Sequence, residues 1–175
     1  MKQETSAMTA TRTDRGSTDT TTIYSEGGNL TYERIFQAPR ERVWRANIDP
    51  ELIPRWWGPR GTTTRVAEMD VRPGGTWRFV STGPDRPDVE FYGEYLEIVE
   101  PERIKWTFMF DVEGLGPQGG PETLTLEDLG DGRTRMRAVS HMGTEGAIEA
   151  ALSTGMTQGA IETWDRLEEL LAQPS

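Results

Sequence analysis

Cysteine is absent from this chain of 175 residues, which removes disulfide bridges, thiolate nucleophiles and cysteine metal sites together. Histidine occurs once, as His141, so a zinc site built from several nitrogen or sulfur donors has no ligand set. No apolar run approaches the roughly 18 residues of a membrane span, and the first residues lack the apolar stretch of a secretory signal. A cytoplasmic location without membrane insertion is the expectation. Basic residues are outnumbered, 19 Lys and Arg against 29 Asp and Glu, for a net charge of -10. Arg34, Arg40, Arg42, Arg45, Arg55 and Arg60 form a basic stretch, but Glu33, Glu41, Asp49 and Glu51 are interleaved with them. Such mixed charge makes no phosphate-binding patch, and nucleic acid is not an expected partner. Gly74-Gly75 is followed by neither the lysine of a phosphate-binding loop nor a dinucleotide fingerprint, and reads as a hairpin turn.

Large aromatics are what the chain does have. Trp56 and Trp57 are adjacent, and Trp77 and Phe79 follow about twenty residues later. Each indole carries on the order of 200 Å² of mostly apolar surface, and neighbouring side chains cannot share one narrow face of a helix or strand. One ring of the pair is therefore expected in a core and the other near an opening.

Residues 1–28 are rich in Thr, Ser, Gly and charge, and read as a disordered tail with at most a short strand at Ile23-Tyr24. The domain is expected over residues 29–172, with 173–175 as a C-terminal tail. Leu30–Phe36 has strand composition. A helix follows over Ala38–Ala46, with Pro39 in its first turn. Asp49 can cap a second short helix that ends by Gly58-Pro59. From Thr62 to His141 the chain reads as antiparallel strands joined by tight turns. In Arg103–Asp111, Ile104, Trp106, Phe108 and Phe110 form one apolar face. Residues 114–121, rich in Gly and Pro, read as a flexible link. Thr144–Ala172 reads as one long helix capped by Thr144, with a buried stripe through Ile148, Leu152, Met156, Ala160, Trp164, Leu167 and Leu171. Gly155 and Gly159 interrupt its middle and allow either close packing or a bend.

Candidate chemistry is sparse. His141 could act as a general base, yet Ser140 and His141 point to opposite faces of a strand. Glu68, Asp70, Glu90, Glu94, Glu97 and Glu122 could supply a paired-carboxylate site, with solvation or pairing to Arg65, Arg72, Arg78 or Arg103 as the structural alternative. No catalytic set is legible, and neither a cofactor nor a metal is implied.

Four segments carry a family resemblance. Phe36-Gln37-Ala38-Pro39-Arg40-Glu41-Arg42-Val43-Trp44, Trp56-Trp57-Gly58-Pro59, Met69–Phe79 and Gly93–Ile104 together resemble bacterial proteins related to the C-terminal domain of the activator of heat-shock-protein-90 ATPase. These belong to the wider START-like, or SRPBCC, superfamily. The resemblance covers about residues 29–172. It implies an α+β helix-grip fold: a curved antiparallel sheet wrapped around a long C-terminal helix, two short helices after the first strand, and an apolar cavity between sheet and helix. The eukaryotic activator has a further N-terminal domain that contributes to chaperone binding, which the tail here does not resemble.

The expected function is a non-catalytic domain holding a small hydrophobic or amphipathic molecule. Trp77, Phe79, Trp106, Phe108, Met156 and Trp164 are its expected cavity lining. Trp56 and Trp57 are expected at an entrance or lid, and Arg78 and His141 as polar anchors. A stress-related or chaperone-associated accessory, with a protein partner or as a homodimer, is the alternative. A cyclase- or aromatase-like enzyme is the third reading.

Overall fold

The computed structural model describes residues 10–114 and 116–174. Strands β1 (Thr13–Asp14), β2 (Thr22–Glu26) and β3 (Asn29–Phe36) are followed by helices α1 (Arg40–Ile48) and α2 (Ile53–Trp56). Six strands come next: β4 (Thr63–Met69), β5 (Thr76–Gly83), β6 (Arg86–Val99), β7 (Arg103–Val112), β8 (Gly116–Gly130) and β9 (Arg133–His141). Helices α3 (Glu145–Leu152) and α4 (Met156–Leu171) end the chain. The strands form one 9-stranded curved antiparallel sheet in the order β1-β2-β3-β9-β8-β7-β6-β5-β4. This is the expected helix-grip α+β architecture.

Period-2 patterning fixes which face of the sheet is inside. On β7, Ile104, Trp106 and Phe110 are buried, while Lys105 between them is exposed. On β8 and β9, Leu124, Leu126, Thr134, Met136 and Ala138 are buried in the same alternation. Helix α1 closes one end through Val43, Trp44 and Ala46. Asn47, also buried, donates its amide to the Val43 carbonyl at 2.8 Å. Asp49 sits at the C-terminal cap of α1 and accepts from the Glu51 backbone N–H at 2.9 Å, so α2 starts only at Ile53, with Pro54 in its first turn. Helix α4 lies over the sheet on Leu167, Leu170 and Leu171. The buried Arg34 of β3 holds it there through Asp165, at 2.7 Å, and Glu168.

Three expectations need correction. The sheet begins before residue 29, because β2 pairs with β3 from Thr22↔Glu33 to Glu26↔Asn29 and buries Ile23 completely. Residues 1–9, which belong to the expected tail, lie outside the described residues, as does Ser175. At the other end Gln173 is tied down, its backbone carbonyl accepting from Arg42 and its side chain from Arg55. The segment expected as a flexible link enters β8, where Gly116–Pro121 pairs with Val112–Thr107 of β7. The single long helix is two: Thr144 caps α3 as expected, accepting from the Ala147 N–H at 3.1 Å, but Gly155 at φ 79 separates α3 from α4. A left-handed backbone there ends one helix without steric penalty.

Close backbone approach matters most at Gly93 of β6. A Cβ added there would meet the Thr107 carbonyl oxygen at 1.8 Å. The β6–β7 ladder would have to separate to admit it. Gly93→Ala is expected to lower stability by about 1–3 kcal/mol, read from the urea midpoint; an unchanged midpoint would show that the two strands are not so closely joined.

Candidate functional site

Between the inner face of the sheet and the α3–α4 junction lies a cavity of about 550 Å³. That is within the range of sites that enclose a drug-sized molecule. Its apolar wall comes from Trp57, Trp106, Phe108, Met156, Ala160 and Trp164 among others. The break at Gly155 is part of the wall, since Thr154, Gly155 and Met156 all border the space. The exposed residues Asp88, Asp111, Glu113 and His141 also border it and mark its mouth.

Both members of the tryptophan pair are buried, at 1% exposure for Trp56 and 7% for Trp57, and both border the cavity. The expected division into a core ring and a lid ring gives way to a shared core position. The Trp56 Nε1 donates to the Ala46 carbonyl at 2.9 Å. Trp57 is the centre of an aromatic cluster, with ring centroids 4.9 Å from Phe79, 5.3 Å from Trp56 and 5.8 Å from both Phe91 and Phe108. Trp77 and Phe79, expected in the lining, are buried in the layer that Trp57 covers and do not border the cavity. Arg78 is on the opposite face of β5, where it pairs with Glu90 and lies 4.8 Å from the Tyr92 ring centroid. Strand alternation explains this correction: an arginine between two buried aromatics must face outward.

His141 borders the mouth, and both of its ring nitrogens are engaged by other side chains. Nδ1 is 3.0 Å from Asn29 Oδ1 and Nε2 is 3.0 Å from Thr123 Oγ1. Ser140, its neighbour, points inward as alternation requires, and donates to Glu122 Oε2 at 3.0 Å. No serine–histidine–carboxylate relay is formed by these residues. Among the described residues no group of His, Asp and Glu is placed to hold a metal ion.

Of the carboxylates considered, one stands in the cavity. Glu97 pairs with Arg103 and Lys105, Asp70 with Arg72 and Glu90 with Arg78; Glu68 accepts from Thr76, and Glu94 is exposed. Glu122 lies on the inner face of β8 and lines the cavity. Its Oε1 accepts from Trp106 Nε1 at 3.1 Å and its Oε2 from Ser140. The residue is half-buried. Burial pushes its carboxyl above the ordinary value, and the two hydrogen bonds offset this only in part. Burial likewise raises the Tyr32 phenol, with Glu122 adding to the effect. The sequence carried a signal for Glu122: it falls in step with Leu124 and Leu126 on the buried side of β8.

Two outcomes test this geometry. Trp57→Ala removes the ring that covers Trp77 and Phe79, and should cost about 3–5 kcal/mol in chemical denaturation; a loss below about 1 kcal/mol would mean the cluster is not cooperative. Glu122 has a raised value in the folded state, so folding retains its proton to higher pH than the unfolded chain does. The stability contributed by the neutral acid is present in acid and is lost as pH rises through that raised value. In Glu122→Gln, the melting temperature relative to the unsubstituted protein should therefore rise as the pH is raised from about 4, the ordinary glutamate value; a difference independent of pH would contradict the burial of this charge.

Comparison with known proteins agrees with the fold and with part of the sequence. The family described as Activator of Hsp90 ATPase homolog 1-like protein matches residues 37–172. No curated protein matches the chain. Among solved structures, the chain is similar to a protein from Mycobacterium smegmatis at 27% identity and TM-score 0.74, over 85% of this chain and 93% of that one. A protein from Chromobacterium violaceum is 28% identical with TM-score 0.69, over 83% of this chain and 99% of that one. A protein from Arthrobacter aurescens shares the fold at TM-score 0.77 and 24% identity, over 88% and 92%. The matched span takes in α1, α2, β4–β9, α3 and α4, and with it nearly the whole cavity wall: the chain belongs to the Activator of Hsp90 ATPase homolog 1-like family.

Proposed function

We propose that this chain is a non-catalytic, cytoplasmic binding domain that holds a small hydrophobic or amphipathic molecule between its sheet and α4. The family supports a ligand-binding or accessory domain. Among the described residues no helix is long and apolar enough to cross a membrane. The observation that carries the reading is the cavity itself. A space of about 550 Å³ walled by tryptophans and phenylalanines is a poor use of a core, since closing it would gain dispersion contacts and remove apolar surface from water. An occupant supplies those contacts instead.

The accessory reading asks for an exposed apolar patch. The tryptophan pair does not supply one, and the exposed large hydrophobics Ile35 and Leu96 lie apart on β3 and β6. The enzyme reading requires a proton carrier facing the space; Glu122 faces it, but both ring nitrogens of His141 are taken up by Asn29 and Thr123.

Ala160 of α4 is part of the wall and half-buried, so a larger side chain there projects into the space. Nile red, a neutral apolar dye, should brighten on mixing with the protein. Ala160→Trp should weaken that binding at least about tenfold, or about 1.4 kcal/mol, while cooperative unfolding is retained. Equal dye binding by a folded Ala160→Trp protein would place the dye elsewhere and remove the support for the cavity as the binding site.

A further inference from the structure

The charge of the cavity narrows the chemistry of what it holds. Four charged residues line it, Asp88, Asp111, Glu113 and Glu122, and all are acidic; among the described residues no lysine or arginine borders the space. Three stand exposed at the mouth, where solvent screens them, and Asp111 also accepts from the Tyr92 hydroxyl at 3.0 Å. Glu122 is different, because it sits inside. Each of its oxygens accepts one hydrogen bond, from Trp106 and from Ser140. A carboxylate has about four acceptor positions, so further donors can be taken. Around it the wall is aromatic: Trp57, Trp106, Phe108 and Trp164 line the same space.

Resting on the binding function proposed above, we infer that the occupant is a lipophilic amine, an apolar body carrying one protonated nitrogen that sits beside Glu122 among the aromatic rings. Both parts of the site favour that head group. A carboxylate short of solvent gains most from a donor that also carries positive charge. Indole and phenyl faces attract a cation through their quadrupoles, more strongly when water is excluded. Burial holds the Glu122 carboxyl above its ordinary value, and the two groups that donate to it, Trp106 and Ser140, are neutral. A fatty acid or phosphate-headed lipid meets the opposite situation. Its anion would enter past Asp88, Asp111 and Glu113 and, among the described residues, find no lysine or arginine in the wall.

The test uses the full chain and three probes with one naphthyl body: naphthylethylamine, naphthylethanol and naphthylacetate. Isothermal titration at neutral pH gives the three affinities for the unsubstituted protein and for Glu122→Gln, which keeps the shape and the acceptor oxygen. The amine is expected to bind at least about tenfold tighter than the alcohol, with the acid weakest. In Glu122→Gln the amine should fall to the level of the alcohol, whose own affinity stays. Glu94→Gln, at an exposed carboxylate outside the cavity, should keep the amine preference. Acid binding as tight as amine binding overturns the inference, and so does an amine preference that survives Glu122→Gln. Alcohol binding without an amine preference overturns this inference alone and leaves the cavity reading standing. Binding of none of the three overturns both. The comparison among probes in the unsubstituted protein decides the matter even where a variant fails to fold.

Discussion

The indole of Trp57 is the constraint around which the rest of the molecule is arranged. It lies directly after α2, yet its ring contacts reach aromatics of β5, β6 and β7. Its backbone is held as well. The Trp57 carbonyl accepts from Thr64 at 2.7 Å and from Arg166 of α4 at 3.1 Å, and Arg166 also donates to the Gly58 carbonyl at 3.0 Å. Helix α2, strand β4, the sheet and α4 thus meet at one residue. Gly58 makes the meeting sterically feasible, with φ 95 and a Cβ position only 2.7 Å from Thr62 Oγ1. Edge-to-face contacts of this kind contribute about 0.5–1.5 kcal/mol each beyond burial, and they fix ring positions as well as adding stability. The cavity wall inherits that order.

Much of the fold was legible because its signals are local. Ile104, Trp106, Phe108 and Phe110 alternate along β7, and Leu167 and Leu171 are spaced to one face of α4. What was not legible depends on partners distant in sequence. The Gly- and Pro-rich start of β8 has the composition of a loop and becomes a strand because β7 supplies a ladder for it. Thr22–Glu26 has little apolar content, but β3 offers an edge and covers Ile23. Such pairing overrides intrinsic propensity.

The candidate site shows the same division. Trp106, Phe108, Met156 and Trp164 line the cavity, together with Trp56, Trp57 and His141. Alternation could say that Trp77 and Phe79 face inward, but not that Trp57 would cover them. The same alternation should have turned Arg78 outward and drawn Glu122 inward. A glutamate among buried leucines was the clearest sequence indication of polar chemistry in this cavity, and it was obscured by a long list of carboxylates that solvent or arginine accounts for.

The interruption at Gly155 separates two mechanical tasks. Helix α4 is fastened by Arg34, Arg166 and the leucines of its last two turns. Helix α3 is fastened by other means: Ile148 and Ala151 beneath it, and Arg15 of the N-terminal region bound to Glu145 and Glu149. Because no continuous hydrogen-bond ladder joins the two helices, displacing α3 does not require α4 to fray. The helical wall of the cavity begins at Thr154 and runs along α4, so α3 can loosen while both that wall and the clamp of the fold stay in place.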